Sequence, residues 1–218
     1  MSSVHIVGPR FSNLVRSVAL VCHEKGIPFC AGLDFEGRRY GFKSPELASI
    51  NPFCRVPVLL HGQRVVYETT TICRYLDAAF DGPPLQPSDV WLRTQVDQWC
   101  SALSLYVDDT LMSRYLAEFV FPMGEAGGVR DDKVRESEPE VRRQLGLLTR
   151  QLGQRDFLVG DAFSLADAMA APILDYVLGL PQAATLAAEV PSLVRYTEAL
   201  RRRPSGRQVL VATDFSED

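Results

Sequence analysis

The sequence is short of the residues that build metal centres, disulfide frameworks and membrane spans. Its 218 residues include five cysteines and three histidines. The cysteines (Cys22, Cys30, Cys54, Cys73 and Cys100) are odd in number and contain no C-x-x-C pair. They offer neither a disulfide framework nor a zinc site, and they fit a reducing cytoplasm. His5, His23 and His61 are isolated and make no metal-ligand spacing. No apolar run is long enough to cross a bilayer, and Met1-Ser2-Ser3-Val4-His5 lacks the charged and apolar regions of a secretory leader. Acidic residues outnumber basic ones 27 to 23, which argues against a nucleic-acid or anionic-membrane partner. Arg201-Arg202-Arg203 is the one basic cluster; it ends a helical segment and reads as compensation of the helix dipole. No repeat or low-complexity tract appears.

What is present divides in two. Val4–Val7 is a strand candidate, and Leu14, Val18, Val21 and Cys22 repeat at helical spacing up to Lys25-Gly26, a basic last turn followed by glycine. Pro28 to Asp34 suggests a second strand, weakened by Gly32. Ser44-Pro45-Glu46 predicts a helix start with serine as N-cap and proline first in the helix. Val58-Leu59-Leu60 and Val65-Val66-Tyr67 flank a turn, and Ile72, Tyr75, Leu76 and Ala79 line one face of the next helix. This is a small open α/β sheet. Asp81-Gly82-Pro83-Pro84-Leu85-Gln86-Pro87 can continue neither element type, so a linker is expected at 81–87, between a domain at 1–80 and another at 88–218.

The second half reads helical throughout. Trp91 to Phe121 is one long segment. Val134, Val141, Leu145, Leu148 and Leu152 mark another, with Arg142 and Gln144 expected on its solvent side. Ser164-Leu165-Ala166-Asp167 opens a buried helix; as a pair, Ser164 and Asp167 read as a capping box rather than as catalytic groups.

Three places carry chemistry. At Val56-Pro57 a cis bond would turn the Val56 backbone outward to pair with an extended peptide, whereas an ordinary trans proline at an edge is the commoner outcome for the dipeptide alone. Glu68-Thr69 sits at a helix start, where backbone N–H groups and a hydroxyl suit a carboxylate and Glu68 suits an ammonium; a plain threonine cap beside a solvated glutamate is again commoner. Ser12 precedes the first helix. It is either that helix's N-cap or a hydroxyl donor that, with the dipole, stabilises a thiolate. No G-x-S-x-G surrounds it, so it is no hydrolase nucleophile. Asn13 is the fallback donor.

Taken together, these signals make the chain resemble a cytosolic glutathione transferase of the serine-using, phi-like kind along nearly its whole length. The resemblance is carried by Ser12-Asn13-Leu14-Val15-Arg16, Glu24-Lys25-Gly26-Ile27-Pro28, Lys43-Ser44-Pro45-Glu46, Asn51-Pro52-Phe53, Arg55-Val56-Pro57, Glu68-Thr69 and the run from Phe157 to Asp167. It implies an α/β thioredoxin-like N-terminal domain followed by an all-α domain. It also implies Ser12 as active-site serine, a cis Pro57, and glutathione held by Lys43, Arg55, the Val56 backbone, Pro57, Glu68 and Thr69. Glutathione is then a co-substrate, no cofactor is permanently bound, and the chain forms a homodimer that conjugates glutathione to small hydrophobic electrophiles. Glutathione-dependent peroxide reduction or dehalogenation, and a non-catalytic binding module on the same fold, are the alternatives. Phe42 stands where phi-like sequences carry a histidine, and Cys54 where they carry a glycine. Phe11, Phe35, Tyr106 and Met112 are candidate pocket walls, each as readily explained as core.

Overall fold

The computed structural model describes residues 4–212 and residue 215, so the reading of Met1-Ser2-Ser3 lies outside the described residues. The chain divides into two units, Met1–Gln86 with Arg203–Asp218, and Pro87–Arg202.

The first unit begins β1 (Val4–Val7), α1 (Asn13–Lys25), β2 (Phe29–Gly32), β3 (Asp34–Phe35) and β4 (Arg38–Arg39), then α2 (Pro45–Ile50), β5 (Val58–His61), β6 (Arg64–Tyr67) and α3 (Thr69–Ala79). Its main sheet has the order β2-β1-β5-β6, with β2 parallel to β1 and the other neighbours antiparallel. Parallel pairing of β1 with β2 requires a crossover, which α1 supplies. The helix stops at Gly26, whose left-handed backbone (φ 67°) lets its N–H reach the Cys22 and His23 carbonyls. Every residue of β1 is buried, because α1 and α3 pack together over the sheet while Val7, Val58 and Leu60 form a second core with Tyr40 and Leu47. Along α3, Ile72 and Leu76 are buried as their spacing predicts, joined by Cys73, whereas Ala79 is exposed. The β5–β6 ladder ends at the pair Val58–Tyr67. Pro57 therefore lies beyond the paired part of the strand, where a missing N–H breaks no ladder bond.

The second unit is helical. α4 (Val90–Ala102) runs on through π-wound stretches at 103–107 and 109–116 into α5 (Ala117–Val120). It is followed by α6 (Asp131–Leu152), α7 (Leu165–Gly179), α8 (Ala184–Glu189) and α9 (Pro191–Arg202). Gln144 departs from its expected place: it is buried, and its Nε2 donates to Glu140 Oε1 at 2.8 Å. The reason is geometric. Residue 144 falls three after Val141 and four before Leu148, inside the apolar stripe of α6, and a polar side chain there needs a partner.

Asp167 is the polar hub of this unit. Fully buried, it accepts from the Leu158 N–H (2.8 Å), the Ser164 N–H (2.8 Å), the Ser164 hydroxyl (2.9 Å) and the Tyr196 hydroxyl (2.6 Å). Burial pushes its carboxyl up while these donors pull it down; burial and the neighbouring Asp167 charge raise Tyr196 well above the phenol range. One side chain thus ties the α7 N-terminus to the preceding loop and to α9.

The segment after Arg202 differs from expectation. It contains α10 (Pro204–Val209), packs against α1 and belongs to the first unit rather than to the helical one. The cause is an ion pair remote in sequence: Arg203 binds Glu24 through two bonds of 2.8 Å, and the Ser205 hydroxyl bonds the same carboxylate. Burial raises the Glu24 carboxyl, but Arg203 and Ser205 outweigh it and hold Glu24 below its ordinary value. The proline-rich stretch is fastened as well. Buried Lys25 donates to Asp77 (3.0 Å) and to the Pro83 carbonyl (3.2 Å), and the Leu85 N–H donates to Asp77 (2.9 Å).

Asp167→Ala strands two buried N–H groups and a phenol, each costing about 1–3 kcal/mol. Denaturant unfolding should show a loss of about 3–5 kcal/mol, and Asp167→Asn a smaller one.

Candidate active site

Four connections of the first unit converge on one site. They are the β1–α1 turn, the loop leading into α2, the approach to β5 from Asn51, and the β6–α3 junction. Gly8 marks the meeting point. With φ 148°, any Cβ on it would lie 2.6 Å from Val15 Cγ2 and 3.1 Å from Val56 Cβ. Glycine alone lets the exit of β1, the first turn of α1 and the Val56 segment come this close.

A cavity of about 660 Å³ opens here, and all six residues expected to bind glutathione line it: Lys43, Arg55, Val56, Pro57, Glu68 and Thr69. The Val56–Pro57 bond is cis. Lys43, Arg55 and Glu68 are exposed, so the cavity offers charge of both signs to solvent, while Thr69 is buried. Glu68, not Thr69, is the N-cap of α3; it makes no side-chain cap bond, and its backbone sits at φ 71°, ψ 113°. Thr69 is the first helical residue, so its N–H belongs to the unpaired first turn that favours an anion.

Backbone conformation singles out the same place. Among the described residues, the non-glycine positions with positive φ are Glu36, Lys43, Cys54, Glu68 and Ala126. Lys43 (φ 60°), Cys54 (φ 50°) and Glu68 all line the cavity. Such conformations cost of order 1–3 kcal/mol each and collect where function requires a fixed side chain. Cys54 occupies a backbone position that suits glycine.

Asn51 is a residue that sequence reasoning left out of the site, as are Leu14 and Phe53. Buried, it donates from Nδ2 to the Arg55 carbonyl (2.8 Å), accepts the Phe53 N–H at Oδ1 (3.0 Å) and accepts the Cys54 N–H at its carbonyl (2.9 Å). It shapes the loop that presents Arg55 and Val56. The Asn-Pro pair at 51–52 was the available signal, since asparagine side chains bond their own backbone two residues on.

Ser12 and Asn13 do not line the cavity; Leu14 is the α1 residue that does. Ser12 is the N-cap of α1, and its Oγ accepts the Val15 N–H at 3.4 Å. That long contact uses a lone pair and leaves the hydroxyl proton to donate elsewhere. Asn13 is buried at the start of α1, and its carbonyl accepts the Ser17 hydroxyl (3.1 Å). Of the expected pocket walls, Phe35 stacks on His5 with centroids 4.3 Å apart, and Tyr106 is exposed on the π-wound stretch. Phe11 is half-buried against Phe215, and Met112 is half-buried in the helical unit; none of the four lines the cavity. Phe42 does line it, 58% exposed. Among the described residues no cluster of metal-ligating side chains forms, and no helix is long and apolar enough to cross a membrane.

Known proteins match this chain over most of its length. Residues 11–79 match the glutathione S-transferase N-terminal domain and residues 111–204 its C-terminal domain. The chain is 30% identical over 177 residues to glutathione S-transferase F10 of Arabidopsis thaliana, with 80% of each chain covered. Glutathione S-transferase 3 of Zea mays is 27% identical over 223 residues, covering 97% of this chain and 95% of the relative. A serine-to-cysteine mutant of poplar glutathione transferase F1 superposes with a TM-score of 0.83 at 25% identity, over 96% of this chain and 97% of that one. The chain belongs to the glutathione S-transferase family. Within it, these relatives make it a glutathione transferase of the phi type, with a thioredoxin-like unit followed by a helical one.

Glu68→Gly separates backbone strain from side-chain chemistry. Releasing the left-handed strain gains about 1–3 kcal/mol, against about 1 kcal/mol of added chain entropy. The thermal midpoint should rise while calorimetric affinity for glutathione falls; a lower midpoint would show that Glu68 is not strained.

Proposed function

We propose that this transferase binds glutathione in the cavity at the sheet's end and adds its thiolate to small hydrophobic electrophiles. The observation that carries the reading is the joint placement of Lys43, Arg55, Val56, Glu68 and Thr69 around one cavity. Glu68 pairs with the γ-glutamyl ammonium, and the Thr69 N–H and hydroxyl take the neighbouring carboxylate. The Val56 backbone, beyond the last ladder pair, is available to the cysteinyl residue. Lys43, with Arg55 nearby, holds the glycyl carboxylate, and Phe42, which donates no hydrogen bond, weakens that end.

Chemistry then needs little more than position. Ser12 donates its proton in a hydrogen bond to the sulfur at the positive end of α1, so the thiol ionises nearer neutral pH. The thiol proton leaves to solvent and the thiolate's electron pair forms the new C–S bond. In a substitution the leaving group departs with its bonding pair; in an addition the π pair shifts onto the electrophile's acceptor atom, which takes a proton from solvent. Asn13 is the fallback donor. The position of Ser12 outside the cavity lining favours a second reading, a glutathione-binding module without catalysis, and one experiment separates the two.

In Ser12→Ala the bound thiol's pKa should rise toward the free value of about 8.5, and conjugation at neutral pH should fall by about tenfold or more. Loss of the cap should cost about 1 kcal/mol of stability. Glutathione affinity should change less. A wild-type complex with no thiolate absorbance near neutral pH would sink the catalytic reading and leave the binding module.

We further infer a cytoplasmic homodimer. Five free thiols support the compartment, and exposed Trp91, Leu105 and Tyr106 on the long helical run, with Phe53 and Tyr67 in the first unit, support the pairing. Light scattering at micromolar concentration should return twice the chain mass; a monomer mass would count against it.

A further inference from the structure

Arg16 lies on α1 one turn after Ser12, and it is buried. Its Nη2 donates to the Val211 carbonyl at 2.9 Å, and its Nε reaches the Arg10 carbonyl at 3.4 Å. These acceptors lie on two segments far apart in sequence. Arg10 sits in the turn that ends at Ser12, closed by the Ser12 N–H donating to the Pro9 carbonyl at 3.0 Å. Val211 sits in the C-terminal segment, 195 residues from Arg16 in sequence.

That segment is held at two points on α1. One is Glu24, bound by Arg203 and Ser205; the other is Arg16. The two anchors are eight residues apart, about 12 Å along the helix, and the six residues of α10 cover about 9 Å of that span. Phe215 closes the run against Phe11, the residue before Ser12, with ring centroids 5.8 Å apart. A guanidinium suits the junction because its planar fork donates in two directions at once, which an ammonium on a flexible stem does less well.

We propose that Arg16 is a positioning residue for Ser12, coupling the Val211 carbonyl of the C-terminal segment to the Arg10–Ser12 turn, so that the docked segment sets where the Ser12 hydroxyl stands. This rests on Ser12 being the donor to the glutathione thiolate. Small displacements matter in such a role, since a shift of about 1 Å can cost about a hundredfold in rate.

The full-length variants Arg16→Gln, Arg16→Lys, Arg203→Gln and the double variant Arg16→Gln/Arg203→Gln test the coupling. Each is titrated with bound glutathione for thiolate absorbance, together with glutathione affinity and the split between kcat and KM. In Arg16→Gln the bound thiol's pKa should rise by about one unit, a tenfold drop in its ionisation constant and a loss of about threefold in thiolate at neutral pH if the wild-type value is about 6.5. Glutathione affinity should stay within about twofold, and the rate loss should fall on kcat. Arg16→Lys should recover part of the shift. Arg203→Gln, which loosens the far anchor without touching the turn, should move the thiol the same way by less, and it should add nothing to Arg16→Gln.

If Arg16→Gln does not fold, Arg203→Gln carries the test alone. A folded variant of either kind with the wild-type thiol pKa would overturn the proposal, and additive shifts in the double variant would detach Arg16 from the segment. A Ser12→Ala control separates the two layers. If it too leaves the thiol unmoved, the donor reading has failed; if it moves the thiol while Arg16 and Arg203 do not, only the coupling has.

Discussion

The site depends on holding side-chain-bearing residues in left-handed backbone. Lys43, Cys54 and Glu68 all sit at positive φ around one cavity, and each would relax if its surroundings allowed. Their surroundings do not allow it. Cys54 lies three residues after Asn51, whose buried amide bonds the Arg55 carbonyl and the Phe53 N–H. Glu68 is caught between the last ladder pair, Val58–Tyr67, and the first turn of α3, whose Ile72 N–H donates to the Glu68 carbonyl at 2.9 Å. Lys43 precedes α2, which is capped by Ser44 and buried through Leu47. A regular scaffold thus offsets strain concentrated in three connections, and the charged ends stay in water while the backbone beneath them is fixed.

This division explains why the helical unit can be so different in character. Its α7 is buried from Leu165 to Val177, and the fully buried carboxylate in its first turn, Asp167, is met by four donors. Buried polar groups satisfied in this way specify one packing, whereas a half-satisfied hub would cost more than an apolar substitute. Asp167 and Glu68 are both carboxylates at helix starts, yet one is spent on the fold and the other is left free of its cap. Satisfaction, not residue type, distinguishes the structural carboxylate from the one available to a ligand.

Much of this was legible in local signals. Ser12, Ser44 and Gly26 announce helix ends through chemistry that needs only neighbouring backbone, and the β5–β6 hairpin follows from two apolar runs about a turn. The grouping of Lys43 with Arg55 and Glu68 is legible only through family resemblance, because no local rule brings residues this far apart in sequence to one cavity. What stayed illegible was tertiary. The place of the C-terminal segment hangs on Arg203 meeting Glu24, 179 residues away, and a basic cluster reads the same whether it faces water or a carboxylate. The polarity of Gln144 points to solvent, whereas its position falls on the apolar stripe of α6, where it is buried. The strain at Glu68 has no signature in composition, since a glutamate before a helix looks ordinary.

The last turn of α1 gathers the fastenings of the first unit. Glu24 receives the returning chain through Arg203 and Ser205, and its neighbour Lys25 holds the departing one through Asp77 and the Pro83 carbonyl. The two charges have unequal intrinsic claims on that position. A lysine at a helix C-terminus is favoured by the dipole, and a glutamate there is disfavoured. Glu24 is therefore tenable only because a bidentate guanidinium and a hydroxyl satisfy it, so its presence makes the helix end dependent on the segment that supplies them. Arg16, at the other end of the same helix, bonds that same segment through Val211. A single helix thus carries the N-cap serine at one end and the attachment of the chain's terminus along its length. Whatever loosens the terminus acts on the element that presents Ser12.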